Sequence, residues 1–172
     1  ALDNGGTIIL DATKVSFLDN SSDAGYAGAI FNAGDLTING QENIFSRNTA
    51  NDTGTTKSGG GAIHNRGNTN TASLVIGTDS SVNRFISNTS NAYGGAIVAR
   101  AFDGENQNSE ITINGTDIKL SPIETKQQIG FLAEGAPMYG DMKVGAFLNY
   151  MADLKGLTKN QKSDRLDEVK NV

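Results

Sequence analysis

The chain has 172 residues, of which 21 are glycine and 37% are hydrophobic, and its formal net charge is −5. The acidic balance argues against nucleic-acid binding and against attachment to anionic membranes, because both need a basic face. The absence of cysteine excludes disulfide frameworks and cysteine-rich zinc sites. No stretch approaches the roughly 18 consecutive apolar residues of a membrane-spanning helix, so we expect no direct membrane insertion.

One phrase recurs along the first two thirds of the chain, in residues 28–48, in residues 60–88 and again from residue 94. Each copy opens with Gly-Ala-Ile and continues to a β-rich triplet. The triplets are Leu36-Thr37-Ile38, Leu74-Val75-Ile76 and Ile111-Thr112-Ile113. The first two copies close with Phe-x-x-Asn. Repetition at a period of 20–50 residues is typical of a solenoid, whose coils each need only a few inward side chains.

The chain begins with a fragment of the same phrase. Residues 5–20 end in Phe-x-x-Asn but lack a preceding Gly-Ala-Ile, so we interpret them as a first rung that lost its opening strand. In residues 28–48, three short strands are separated by Asn- and Gly-rich corners, which tolerate tight backbone turns. This arrangement predicts one turn of a parallel β-helix. An antiparallel meander is the alternative, but hairpins do not require identical phrases to recur in register.

Strand alternation assigns the repeated residues to the inside of the solenoid. We expect an inward aliphatic column on the first face, an aromatic column on the third and an amide ladder at one corner, with glycines where the backbone turns. These structural residues are Ile30, Ile63 and Ile97; Phe17, Phe45 and Phe85; Asn20, Asn48 and Asn88; and Gly28, Gly60 and Gly95.

The same alternation predicts an outward column of Phe31, His64 and Val98. With Tyr26 and Tyr93 in the adjacent corner loops, this column forms our candidate binding surface. His64 is the only histidine, and its expected surface position argues against a catalytic role.

The chain changes character after residue 122. Apolar residues recur at helical spacing across residues 143–157, and Ser163 is a candidate cap for a second short helix over residues 164–170. We predict a repeat domain, residues 1–122, and a helical segment, residues 123–172, that caps the open end of the solenoid. The alternative is a connector that docks a neighbouring subunit or a downstream domain.

Gly-Gly-Ala-Ile combined with Phe-x-x-Asn resembles the repeat of chlamydial-type polymorphic outer membrane proteins, and more generally autotransporter and adhesin passenger domains. The resemblance covers about residues 5–120, although the third copy has Gly115 to Leu120 in place of Phe-x-x-Asn. It implies an all-β fold, a right-handed parallel β-helix of three to four rungs. It also implies an extracellular or cell-surface location, with any signal peptide and anchor outside this chain.

The expected function is adhesion or self-assembly without catalysis. The expected partner is a host or neighbouring-cell surface protein or glycan, or a second copy. We predict no catalytic residues, no metal and no cofactor, since the recurring acids Asp35, Asp79 and Asp117 lie at corners where aspartate is a common turn residue. Because polysaccharide lyases and hydrolases also use β-helices, a carbohydrate-binding or polysaccharide-cleaving β-helix is one alternative. A fibre subunit that stacks end to end is the other.

Overall fold

The computed structural model describes residues 1–23, 25–51, 59–67, 70–101, 108–129 and 142–170. The chain winds through successive coils, each of which contributes strands to the same set of sheets. The first two coils are β1 (Leu2–Asn4), β2 (Thr7–Leu10), β3 (Lys14–Leu18) and β4 (Ser21–Ser22), then β5 (Ile30–Asn32), β6 (Asp35–Ile38), β7 (Glu42–Ser46) and β8 (Thr49–Ala50). The later coils are β9 (Ile63–Gly67), β10 (Ala72–Ile76), β11 (Val82–Ile86) and β12 (Thr89–Ser90), then β13 (Ile97–Ala101), β14 (Ser109–Ile113) and β15 (Thr116–Asp117).

The sheets confirm the predicted parallel β-helix. The strand orders are β1-β5-β9-β13, β15-β14-β10-β6-β2, β11-β7-β3 and β12-β8-β4. Every pairing is parallel except that of β15 with β14. A fourth sheet of two-residue strands, β4, β8 and β12, adds to the three predicted walls. It follows each Phe-x-x-Asn directly, where the strands are too short for alternation to reveal them.

The first coil is complete, so the prediction that it lost its opening strand was wrong. Leu2 pairs with Ile30, and Asn4 pairs with Asn32. The segment Leu-Asp-Asn lacks Gly-Ala-Ile but keeps the alternation of an inward aliphatic residue and an inward asparagine, which is sufficient to extend the sheet.

The core lies inside the coils and is layered by residue type. Ile30, Ile63 and the inward triplet residues, Leu36, Ile38, Leu74 and Ile76, are 0–1% exposed. The rings of Phe17, Phe45 and Phe85 stack face to face, with centroids 5.3 and 4.7 Å apart and interplanar angles of 2° and 4°. Phe45, between the other two rings, is fully buried. Aromatic pairs stacked with an offset, at centroid separations in this range, add stability beyond the burial of apolar area.

The predicted corner asparagines lie one above another. Asn20 Nδ2 donates to Asn48 Oδ1 over 2.9 Å, and Asn48 Nδ2 donates to Asn88 Oδ1 over 2.8 Å. Asn48 Nδ2 also donates to the carbonyl of Phe17 over 3.0 Å, so the ladder satisfies backbone groups at the corner.

The structure adds two amide ladders that were not predicted. The first runs from Asn4 through Asn32 to Asn65, with amide-to-amide distances of 2.8 and 2.6 Å, and ends on Ser109. The second joins Asn43, Asn83 and Asn114, each over 2.7 Å. In all of them the Nδ2 of one coil donates to an oxygen of the next coil. The first ladder had a signal in the sequence, since asparagine falls two residues after the inward Leu2, Ile30 and Ile63.

The repeated glycines permit backbone contact between coils. A Cβ at Gly28 would overlap the carbonyl of Gly61, and a Cβ at Gly61 would overlap the carbonyl of Gly95. The stacked position is therefore Gly28, Gly61 and Gly95, and the prediction of Gly60 was one residue out of register. Gly60 instead pairs with Ala27.

The solenoid pattern ends at β15, which turns back antiparallel onto β14. Oδ1 of Asp117 accepts hydrogen bonds from the backbone N–H groups of Lys119 and Leu120, at 2.7 and 2.9 Å, and directs the chain into α1 (Pro122–Gln128). Residues Ala1–Thr125 form one compact unit.

The second compact unit is Lys126–Val172, and it contains α2 (Val144–Leu154) and α3 (Lys159–Lys170). The α3 helix starts earlier than predicted, and Ser163 lies inside it. Gln161 Oε1 accepts from the backbone N–H of Thr158 over 2.9 Å, so a Thr-x-x-Gln pair marks this start instead. None of the described helices has the length and apolar character needed to cross a membrane. Whether this unit caps the solenoid or connects it to another domain stays a prediction.

Candidate functional site

The candidate surface lies on the outer face of the first sheet. There Asp3, Phe31, His64 and Val98 occupy equivalent positions in β1, β5, β9 and β13. The predicted outward column is therefore in register, and a fourth residue, Asp3, extends it toward the N-terminal coil.

Three of the predicted residues meet in an aromatic cluster, formed by Tyr26, Phe31 and His64. The Tyr26 ring centroid is 5.6 Å from that of Phe31 and 5.7 Å from that of His64, and Phe31 lies 5.5 Å from His64. Both contacts of His64 are edge-to-face. Tyr26 remains 41% exposed and Phe31 is partly exposed, so both rings are accessible from outside.

His64 is buried, with 0% exposure, and its predicted surface position was wrong. Its side chain does point away from the aliphatic core, as alternation requires. The corner segment then covers it, because Tyr26 packs its ring on the imidazole and its carbonyl oxygen lies 3.2 Å from Nδ1. Outward orientation on a central strand thus does not guarantee contact with solvent.

Arg66 belongs to the same cluster, although the sequence did not single it out. Its guanidinium carbon lies 5.0 Å from the Tyr26 ring centroid and 5.9 Å from that of Phe31, which is cation–π geometry. The available signal was its spacing, since a residue two positions after His64 lies on the same face of β9.

The remaining predicted residues, Tyr93 and Val98, line a separate groove of about 500 Å³ at the last coil. We call it the β13 groove; its lining residues are Tyr93, Gly94, Ile97, Val98, Ala99 and Arg100. Tyr93 is 61% exposed. Tyr26 and Tyr93 occupy the same place in the repeat, two residues before Gly28 and Gly95. The coil after Tyr26 is followed by the coil of β9, whereas no described coil stacks beyond the coil after Tyr93.

Exposed ion pairs lie elsewhere, on the outside of the third sheet and at its corner. Arg47 forms a two-pronged contact with Asp19, in which both N···O distances are 2.6 Å, and this hydrogen bonding lowers the pKa of Asp19 and raises that of Arg47. Glu42 lies 3.0 Å from Lys14 and 2.8 Å from Arg84, and the hydrogen bond from Lys14 is the main cause of its lowered pKa. These pairs join adjacent coils.

In the part of the chain that the structure describes, no three His, Cys, Asp or Glu side chains converge in a way that suits a metal ion. The contacts observed at the candidate surface are tilted and edge-to-face aromatic pairs, cation–π contacts and a hydrogen bond between the imidazole and the backbone.

Comparison with known families matches residues 44–66 to the Chlamydia polymorphic membrane protein repeat. The matched stretch runs from β7 through Phe-x-x-Asn to the Gly-Ala-Ile strand β9 of the next coil. Neither the curated proteins nor the solved structures give a significant match. The repeat is that of a family of outer-membrane and surface proteins. The chain thus carries the polymorphic membrane protein type of repeat, built into a parallel β-helix.

Proposed function

We propose that this chain is a non-catalytic segment of a bacterial surface protein that acts by adhesion to a host or neighbouring cell, or by contact between copies. The observation that carries the proposal is how the repeat distributes its residues. Positions that recur from coil to coil face inward, as Leu2, Ile30 and Ile97 do, whereas the adjacent outward and accessible positions hold Asp3, Phe31 and Val98. The inward residues stabilise the β-helix. The outward residues differ from coil to coil and are therefore available to bind a partner.

Non-catalytic action is supported by the placement of the titratable groups. The imidazole of His64 is sealed beneath Tyr26, out of reach of a substrate. The carboxylate of Asp117 is occupied by the backbone N–H groups of the turn that follows it. A reaction would need an acid and a base in one accessible cleft, as in glycoside hydrolysis.

Adhesion is tested with beads coated with the full chain and incubated with cultured epithelial cells and with bacterial cells. Beads coated with an unrelated acidic protein of similar size are the control. Self-association is measured in parallel by sedimentation velocity. We expect either cell adherence or concentration-dependent association; a chain that stays monomeric and binds neither cell type contradicts the proposal.

Glycan binding is the second candidate, and it is favoured by the exposed rings of Tyr26 and Tyr93, since sugars stack on aromatic faces. A glycan array with the wild-type chain and the variants Tyr26→Ala and Tyr93→Ala tests it. Binding that is lost in one tyrosine variant, without cleavage products, would assign the partner as carbohydrate. Cleavage that depends on a carboxylate pair would assign an enzyme instead.

A further inference from the structure

In the part of the chain that the structure describes, the last strand of the first sheet, β13, has no strand beside it on the edge that faces away from β9. This open edge lies beside the β13 groove. We propose that this edge is a docking site for an extended peptide strand of a partner protein, with an apolar residue opposite Ile97 and an acidic residue opposite Arg100. The inference rests on the proposed adhesive function and specifies the partner's chemistry.

The edge presents backbone groups in a fixed pattern. Among the described strands, β13 pairs only with β9, with Ile97 opposite Ile63 and Ala99 opposite Asn65. The N–H of Ile63 donates to the next coil, at the carbonyl of Ala96, over 3.0 Å. Because residues of a parallel strand alternate in the side to which they bond, the equivalent Ile97 and Ala99 direct their N–H and C=O groups away from β9.

The β13 groove follows this edge. It is lined by consecutive residues of β13, of which Ile97 and Ala99 face the inside of the solenoid and Val98 and Arg100 face outward. Because residues from both faces of β13 line the groove, the groove lies along the edge of this strand and not over one of its faces. Its volume of about 500 Å³ falls within the range of about 300–1,000 Å³ in which proteins bind ligands.

An earlier coil shows how such an edge is covered. Tyr26 is contacted from the following coil by His64 and Arg66, both on β9. Tyr93 holds the equivalent place before β13 and is more exposed, 61% against 41%. A strand laid on β13 would bring side chains to the places that His64 and Arg66 take at Tyr26. Strand addition to a sheet edge is an established mode of peptide recognition, with affinity from the backbone and specificity from alternate side chains.

The residues that line the groove also determine which side chains the bound peptide should carry. Ile97 is only half-buried, although it packs against the core, so an apolar residue beside it would extend the aliphatic column. Arg100 lines the outer side of the groove, and a carboxylate is the complementary group. The spacing of these two residues, three positions apart, defines the motif of the peptide.

A whole second copy does not fit this edge. β15 lies antiparallel on β14 and takes the next position in the second sheet. A coil that continued from a strand on β13 would have to occupy that position. The occupant is therefore a single strand, and this geometry also weighs against fibres that grow by stacking on this end.

The experiment uses the full chain and the peptide acetyl-Ala-Ile-Thr-Asn-Glu-Gly-amide. This peptide copies the alternation of residues 62–67, with a threonine in place of the histidine and a glutamate in place of the arginine. Amide hydrogen exchange is followed by NMR. We expect the amides of Ile97 and Ala99 to exchange at least about tenfold more slowly at saturating peptide. The amides of Val98 and Arg100, already directed at β9, should change much less.

Three variants sharpen the test. Ala99→Pro removes the N–H on the open edge and should weaken binding by about tenfold or more, whereas the matched Ala99→Val keeps the N–H and the affinity. Arg100→Glu should reject the peptide and accept its lysine counterpart. Unchanged protection of the β10 amides shows that each variant is folded.

Peptide binding that survives Ala99→Pro, or protection that does not alternate along β13, overturns the inference. So does the absence of binding, or binding of a glycan at Tyr93 instead. The bead assay distinguishes failure of the proposed peptide site from failure of the proposed adhesive function. If beads carrying Ala99→Pro adhere as well as wild type, the site is wrong and the adhesive function stands. If wild-type beads do not adhere and the chain does not self-associate, the adhesive function itself fails, whatever the peptide does.

Discussion

At the scale of single residues, the stacked glycines make a prediction with an internal control. A Cβ at Gly61 would overlap backbone atoms of Gly95 and Thr89, which cannot rotate away. A Cβ at Gly95 would meet only the carbonyl oxygen of Asn88, at 3.3 Å, because no described coil lies beyond it. We expect Gly61→Ala to lower the free energy of unfolding by about 3 kcal/mol or more, and Gly95→Ala to change it by less than about 1 kcal/mol. Urea unfolding followed by circular dichroism measures both, and equal effects would contradict the proposed stacking.

The corner asparagines give a second prediction at this scale. Asn48 is fully buried, donates to Phe17 and Asn88, and accepts from the backbone and side chain of Asn20. Asn48→Ala would leave several of these groups without a partner, and each such group costs about 1–3 kcal/mol. We expect a loss of about 3 kcal/mol or more. Asn20→Ala, at the partly exposed end of the same ladder, serves as the control and should cost about 1 kcal/mol. A smaller loss for Asn48→Ala than for the control would show that the ladder is not stabilising.

At the scale of elements, the corner after β3 and β7 should respond to acid. Bonding to Arg47 holds the pKa of Asp19 below its ordinary value of 3.8. The stabilisation is therefore fully present above that value and is lost as the pH falls through the lower pKa of the folded state. We expect Asp19→Asn to lower the urea midpoint slightly at pH 7, and the difference from wild type to shrink as the pH is lowered below 3.8. Because the pair is exposed, salt should reduce the difference as well. A difference that grows on acidification would have the wrong sign.

The strands also show how far a sequence of this kind predicts its structure. Periodic signals, such as Phe17, Phe45 and Phe85, identify both the coil and its interior, because each coil repeats the same local chemistry. Signals are weak where a segment is short, as in β4, or where it lacks the repeated phrase, as in β1. Whether an outward residue is exposed depends on segments that the repeat does not encode. His64 is outward in register yet buried, because Tyr26 folds over it.

At the scale of the whole molecule, the two compact units differ in what holds them together. The unit Ala1–Thr125 has a continuous core of buried aliphatic and aromatic side chains, extended by the amide ladders. Among the residues of Lys126–Val172 whose burial the structure describes, Ala152 is the only buried apolar residue, and residues 159–166 of the polar helix α3 contribute none. Helices of this length owe most of their stability to packing, so α3 should open far more readily than the sheets.

We therefore expect hydrogen exchange of the intact chain to separate the units. Amides in α3 should exchange at nearly unprotected rates, whereas those of β6 and β10, which lie between other strands of the second sheet, should open only with the whole β-helix. On heating, the helical signal should decrease before the sheet signal. Uniform protection and one cooperative transition would contradict this order and would show that the helical unit is stabilised by contacts that couple it to the solenoid. Such coupling is what a cap requires, whereas a connector to another domain does not need it, so the same measurement discriminates between the two roles predicted for the helical segment.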